Sequence, residues 1–208
     1  MAPDEGASFE LADASLDGFV ANSENRCSEV NRMLAYLFVL LAFAVRLAIP
    51  YWHSYPFHFT PVAASLLFFG AHGSRRQLWI PVGLLALSDV ILSKFVYHYP
   101  VDVSQLVSWA WYAAIVLLGT RLRNHEKPLW IGLAALASPI SFFLISNFAA
   151  WAAFPMYPKT FAGLMIAYSL GVPFFQNDLV GTMLFTAVFF AIPVLLRLPE
   201  RGKHGAAA

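Results

Sequence analysis

"PVAASLLFFGAHGSRR", residues 61–76, is apolar from Val62 to Ala71 and turns basic at Arg75 and Arg76. A helix needs about 20 residues to cross the hydrocarbon core of a bilayer, and this run is shorter. Whether it crosses decides the fold, because it sets the side on which every later loop lies. Other apolar runs occupy 33–50, 78–99, 105–121, 129–155 and 177–196. A second short run, "FAGLMIAYSLGVPFF" at 161–175, contains Gly163, Gly171 and Pro173.

The positive charges choose between the two short runs. If 61–73 crosses and 161–175 does not, ten basic residues share one side: Arg26, Arg32, Arg75, Arg76, Arg121, Arg123, Lys127, Arg197, Arg201 and Lys203. Only Lys94 and Lys159 fall on the other side, and Arg46 lies within a helix. The opposite choice exports Arg75, Arg76, Arg121, Arg123 and Lys127, against the tendency of basic loops to stay in the cytoplasm. The sequence therefore predicts an all-α membrane protein, a six-transmembrane-helix bundle with both termini cytoplasmic. The 161–175 run becomes a short interfacial or re-entrant segment before the last helix, packed on protein.

Composition agrees with this class. Of 208 residues, 59% are hydrophobic and 12% charged, against about a quarter charged in soluble domains. Seven of the twelve acids fall within the first 29 residues. Residues 1–32 read as an acidic, disordered cytoplasmic tail, 33–197 as the membrane domain, and 198–208 as a short cytoplasmic tail. The single cysteine, Cys27, excludes an internal disulfide and a cysteine metal cluster. A net charge of +1 gives no general attraction to nucleic acid. Neither a phosphate-binding glycine loop nor histidines four apart on one helix occur, so no cofactor or metal is expected. An enzyme is not expected either. His53 and His58 lie in a loop and His72 and His98 at opposite helix ends, so no base faces a buried serine and no pair could hold a haem.

The polar residues within the spans point to a cavity. Asp89, in "LLALSDVILSK", is roughly 16 Å along its helix from the Arg75–Arg76 turn, near the midplane. A carboxylate there must be paired, protonated or facing water, and Ser93, four residues on, shares its face. Arg46, Asn147, Gln176, Asn177 and Asp178 are expected together in the outer leaflet above Asp89, with an Arg46–Asp178 ion pair as the purely structural alternative. Above them lies "PYWHSYPFHFTP", residues 50–61, an aromatic loop with three prolines and no formal charge. Such rings can anchor at the interface or form a stiff cover over a ligand. The expected substrate-binding set is Trp52, Tyr55, Asn147, Asp178 and Arg46, for a ring-containing solute that stacks on aromatics. Arg46 would favour a carboxylate or phosphate on it. Ala44 and Ala48 have the four-residue spacing that lets helices approach closely.

Three stretches carry a family resemblance: "HFTPVAASLLFFGAHGSRRQLWIPVGLLALSD", "SNFAAWAAFPMYPKTFAGLMIAYSLGVPFFQNDLVGT" and the closing apolar helix. They resemble a bacterial family of uncharacterised membrane proteins, DUF6580, described as transport proteins. That family is similar in turn to the substrate-binding S components of energy-coupling-factor (ECF) transporters. Members often carry an acid after the glycine of the last helix, where this chain has Thr182 after Gly181. The resemblance implies multi-pass residence in a bacterial plasma (inner) membrane and uptake of a vitamin-like small molecule from outside. It also implies a membrane coupling subunit with ATPases as partner, since no ATP-binding motif is present. The alternatives are a proton-coupled carrier using Asp89, or a structural or assembly factor that transports nothing.

Overall fold

Ten consecutive residues, Val62 to Ala71, are buried, and a helix that is apolar on every side belongs in the middle of a bundle. The computed structural model describes the chain over residues 5–51, 59–98, 100, 102–125 and 127–205. The buried segment forms α2, Val62–His72, with the other helices around it: α1 (Glu5–Ala48), α3 (Trp79–Ile91), α4 (Val103–Leu122), α5 (Pro128–Ala153) and α6 (Phe161–Gly205). No strand occurs among the described residues. A π-helical segment, Leu92–Tyr97, extends α3 and ends at His98, which takes a left-handed conformation with φ 57°. Five helical segments are long and apolar enough to cross a membrane: 25–51, 75–97, 103–122, 128–153 and 161–196. Side chains such as Leu37, Leu40, Leu117, Leu129, Leu144 and Leu184 are exposed on their outer faces. A surface this apolar is matched to lipid, and the chain is a membrane protein.

Contacts give the directions of the helices. Tyr36 hydrogen-bonds Gln77 and Arg46 pairs with Asp89, so α1 and α3 run parallel. Tyr36 packs against Phe69 and Phe38 against Phe68, with ring centroids 5.1 and 4.9 Å apart, which sets α2 antiparallel to α1. Phe143 packs on Phe175 at 4.9 Å while Asn147 lies against Gly171, so α5 and α6 are antiparallel. These neighbouring helices run in alternating directions through the bundle. Arg75, Arg76, Arg121, Arg123 and Lys127 therefore collect at one end, and Lys94 and Lys159 at the other.

The short run at 61–73 forms a short helix. At 1.5 Å per residue, α2 covers about 16 Å, half of a bilayer core. Its C-terminus lies at the basic end, where Arg123 donates to the carbonyls of Gly70 and Gly73, both at 2.7 Å. This cation satisfies carbonyls that a helix end leaves free and opposes the negative end of its dipole. Gly70 faces Gly119 of α4 so closely that a Cβ added at Gly70 would lie 2.7 Å from the Gly119 Cα. Only glycine allows that backbone approach.

One expectation is revised. The 161–175 run is not a separate interfacial piece, because α6 continues unbroken from Phe161 to Gly205. Gly171 and Pro173 are tolerated where the α5 neighbour supports the helix: Tyr168 donates to the carbonyl of Leu144 at 2.8 Å.

Candidate functional site

Tyr112 stands midway along α4, whose 20 residues measure about 30 Å. A polar cluster surrounds it at that depth. Arg46 donates through one terminal nitrogen to the Tyr112 hydroxyl at 2.6 Å and through the other to Asp89. Trp109 Nε1 donates to the second carboxylate oxygen of Asp89 at 3.0 Å. Asp89 is thus held by two elements at once, and its side chain is 8% exposed against 25% for Arg46. A buried carboxylate with a cation and an indole on separate oxygens meets the requirement for pairing inside a membrane.

The partner expected for Arg46 is corrected by this geometry. Arg46 pairs with Asp89, not Asp178, and lies at mid-depth. The α1 helix ends at Ala48, well short of the far end of the bundle, and the short 3-10 turn Ile49–Tyr51 follows it. Ser93 does not serve Asp89 either; its hydroxyl accepts from Gln105 of α4. The π-helical turn, with one more residue per turn than an α-helix, begins between the two and separates their faces.

Beside the cluster lies a cavity of about 510 Å³, lined by residues of α1, α2, α4, α5 and α6 and of the π-helical segment after α3, among them Arg46, Asn147 and Asp178. Three members of the expected substrate-binding set therefore share one space. Trp52 and Tyr55 lie outside the described residues. Ile49, just before that loop, and Thr60, near its end, both line the cavity. The α6 wall is a stripe at helical spacing, Gly171, Phe174, Phe175 and Asp178, which follows from residues three and four apart sharing a face. Asn147 directs its amide nitrogen to the carbonyl of Phe143 at 2.8 Å. Asp178 has no cation within 4 Å among the described residues. The Nε of Arg46 is buried and meets no acceptor there.

Tyr112, Trp109 and Trp111 were missed by the sequence reading. Trp111 lines the cavity and anchors its indole on Ser141 at 3.0 Å. The signal was "WAWY" at 109–112 in the middle of an apolar run, away from the helix ends where interfacial aromatics gather.

No group of three histidine, cysteine, aspartate or glutamate residues among the described residues could hold a metal. A smaller cavity of about 370 Å³ lies toward the basic end between α5 and α6, lined by Gly132, Ala135, Met183, Thr186 and Phe190, among others.

A cavity at mid-depth in a helical membrane bundle defines the class: a polytopic membrane protein with an internal pocket. Residues 28–202 match the model of a family of unknown function, DUF6580. The chain belongs to that family. Neither a curated protein nor a solved structure matches it.

Proposed function

We propose that this protein captures a small ring-containing solute from outside the cell and delivers it for uptake, in the manner of an ECF S component. The observation that carries the reading is the 510 Å³ cavity, whose size falls in the range of small-molecule sites. Its wall combines aromatic rings with a few convergent polar groups, as such sites do. The end bearing Arg75, Arg76, Arg121, Arg123 and Lys127 is the cytoplasmic one on this reading, by the bias of basic loops. The cavity then faces outward, and the 50–61 loop is its cover. Ala44 and Ala48 are exposed, which leaves them free to meet a coupling subunit that brings ATPases.

Proton coupling is the second mechanism in this class. Asp89 is held by Arg46 and Trp109, so its proton exchange requires that pair to open. Transport unaltered by Asp89→Asn would exclude coupling through this residue.

The test of the main reading is mass spectrometry of small molecules released from the purified full-length protein. A ring-containing solute in near-stoichiometric amount is expected. Release of nothing beyond what empty membranes yield would contradict solute capture and favour a structural or assembly role.

A further inference from the structure

The sign of the charge in the cavity narrows the class of solute. Two formal charges, Arg46 and Asp178, are on the cavity wall. The guanidinium of Arg46 is already matched by Asp89, so that pair contributes no net charge. Asp178, on α6, has no cation within 4 Å among the described residues. The loop at 50–61 contains no lysine, arginine, aspartate or glutamate, and its only titratable cations are His53 and His58. Asp178 is therefore the one carboxylate on this wall left without a counter-charge among the described residues, and a carboxylate among apolar walls must find a cation or take up a proton. Arg46 Nε–H, without an acceptor, needs only a neutral oxygen or nitrogen.

We infer that the cavity takes an organic cation: a flat apolar ring carrying one positively charged nitrogen, with that nitrogen against Asp178 and the ring among Trp111, Phe142 and Phe175. This rests on the solute-capture reading and reverses the preference for a carboxylate or phosphate that Arg46 alone suggests. The volume of about 510 Å³ is far too large for a bare metal ion and suits a ring of one or two cycles. Aromatic faces add to the same preference, since their negative π-clouds attract cations.

The experiment uses the full-length protein in detergent with three probes of one shape: tryptamine, 3-ethylindole and indole-3-propionate, read by isothermal titration. Tryptamine should bind tightest, by roughly ten-fold or more over the propionate, the scale of a hydrogen bond to a charged group. Asp178→Asn should abolish this order, and Asp178→Glu should keep it. If Asp178→Asn does not fold, the order in the native protein and in Asp178→Glu still decides. Tighter binding of the propionate, equal binding of all three, or no binding of any at millimolar concentration overturns the inference. A copurifying solute with a carboxylate or phosphate and no cationic nitrogen also overturns it while leaving solute capture standing. A protein that retains no solute removes both.

Discussion

The two ends of α2 are built on opposite principles. At its C-terminal end, Gly70 and Gly119 bring two backbones into contact, and Arg123 closes the helix by holding the carbonyls of Gly70 and Gly73. At its N-terminal end, Val62 and Ala63 face a cavity, and charged groups stand a few residues away. One helix is thus clamped at the basic end and left beside open space at the other. A bundle can keep a cavity in this way: the close backbone contact of α2 with α4 at one end fixes those two helices, so that the space beside the other end of α2 need not be filled. The acids divide in the same way. Asp89 is locked to α1 and α4, while Asp178 faces the space with no cation within 4 Å among the described residues.

The largest effect expected is on the ion pair that borders both halves. Asp89→Leu leaves Arg46 charged and buried without its partner, at a cost of about 3–5 kcal/mol. Thermal unfolding in detergent should show it, and Arg46→Leu added to Asp89→Leu should recover most of the loss. If the double variant is no better than the single, the pair is not what holds α1 to α3. Next comes the clamp. Gly70→Leu forces α2 from α4 where neither backbone can yield, and overpacking of this kind costs about 1–3 kcal/mol or more. A fully stable Gly70→Leu would show that the tight half is not tight.

The helix-end clamp should matter somewhat less. Arg123→Ala frees two carbonyls, and hydrogen bonds to charged groups contribute about 1.5–3 kcal/mol each when buried. Arg123 is partly exposed, so a total of about 1–2 kcal/mol is expected after solvent screening. Burial and the neighbouring Arg75 lower the Arg123 pKa from its ordinary value, but an arginine stays charged at any physiological pH, so the clamp should not depend on pH between 6 and 8, a range checked by repeating the unfolding. Arg123→Lys should restore little, because an ammonium cannot fork between two acceptors as a guanidinium does.

The smallest expected effect on stability, though not on binding, comes from the loop. Alanine at Trp52 or Tyr55 should weaken solute binding about ten-fold, the scale of one lost stacking ring, and should leave unfolding unchanged. Equal small losses for Tyr51, Trp52, Tyr55, Phe57 and Phe59 would return the loop to an interfacial belt.

Much of this contrast could be read from the chain, and what could not has physical causes. Alternating basic loops placed Arg75, Arg76, Arg121, Arg123 and Lys127 at one end, because charge bias reports sides even where a run is short. The apolar run already showed that α2 is short, but not which part of the depth it covers. A window average registers Val62–Ala71 as apolar and says nothing of where the passage is completed. The Arg46–Asp89 pair joins residues 43 positions apart, and sequence placed Arg46 at the outer surface only because Pro50 follows it. That a helix can stop inside the bundle is set by packing, not by a local signal. Asn147, Asp178 and Arg46 were nonetheless found as neighbours of one space, since polar side chains in an apolar run have few other uses. The glycine pair was hidden among small residues that are common in such helices.

The central claim is that a cavity opens to the outside of the cell from the half of the bundle opposite the basic loops. The direct measurement places single cysteines in a Cys27→Ser background and treats intact cells with a membrane-impermeant thiol reagent. Ser146 lines the outer cavity, and Gly132 lines the other one with open space for a side chain. The account predicts that Ser146→Cys reacts from outside in intact cells, while Gly132→Cys reacts only after the membrane is opened. A Ser146→Cys protein that reacts only in opened cells, beside a Gly132→Cys protein that reacts in intact ones, would contradict it.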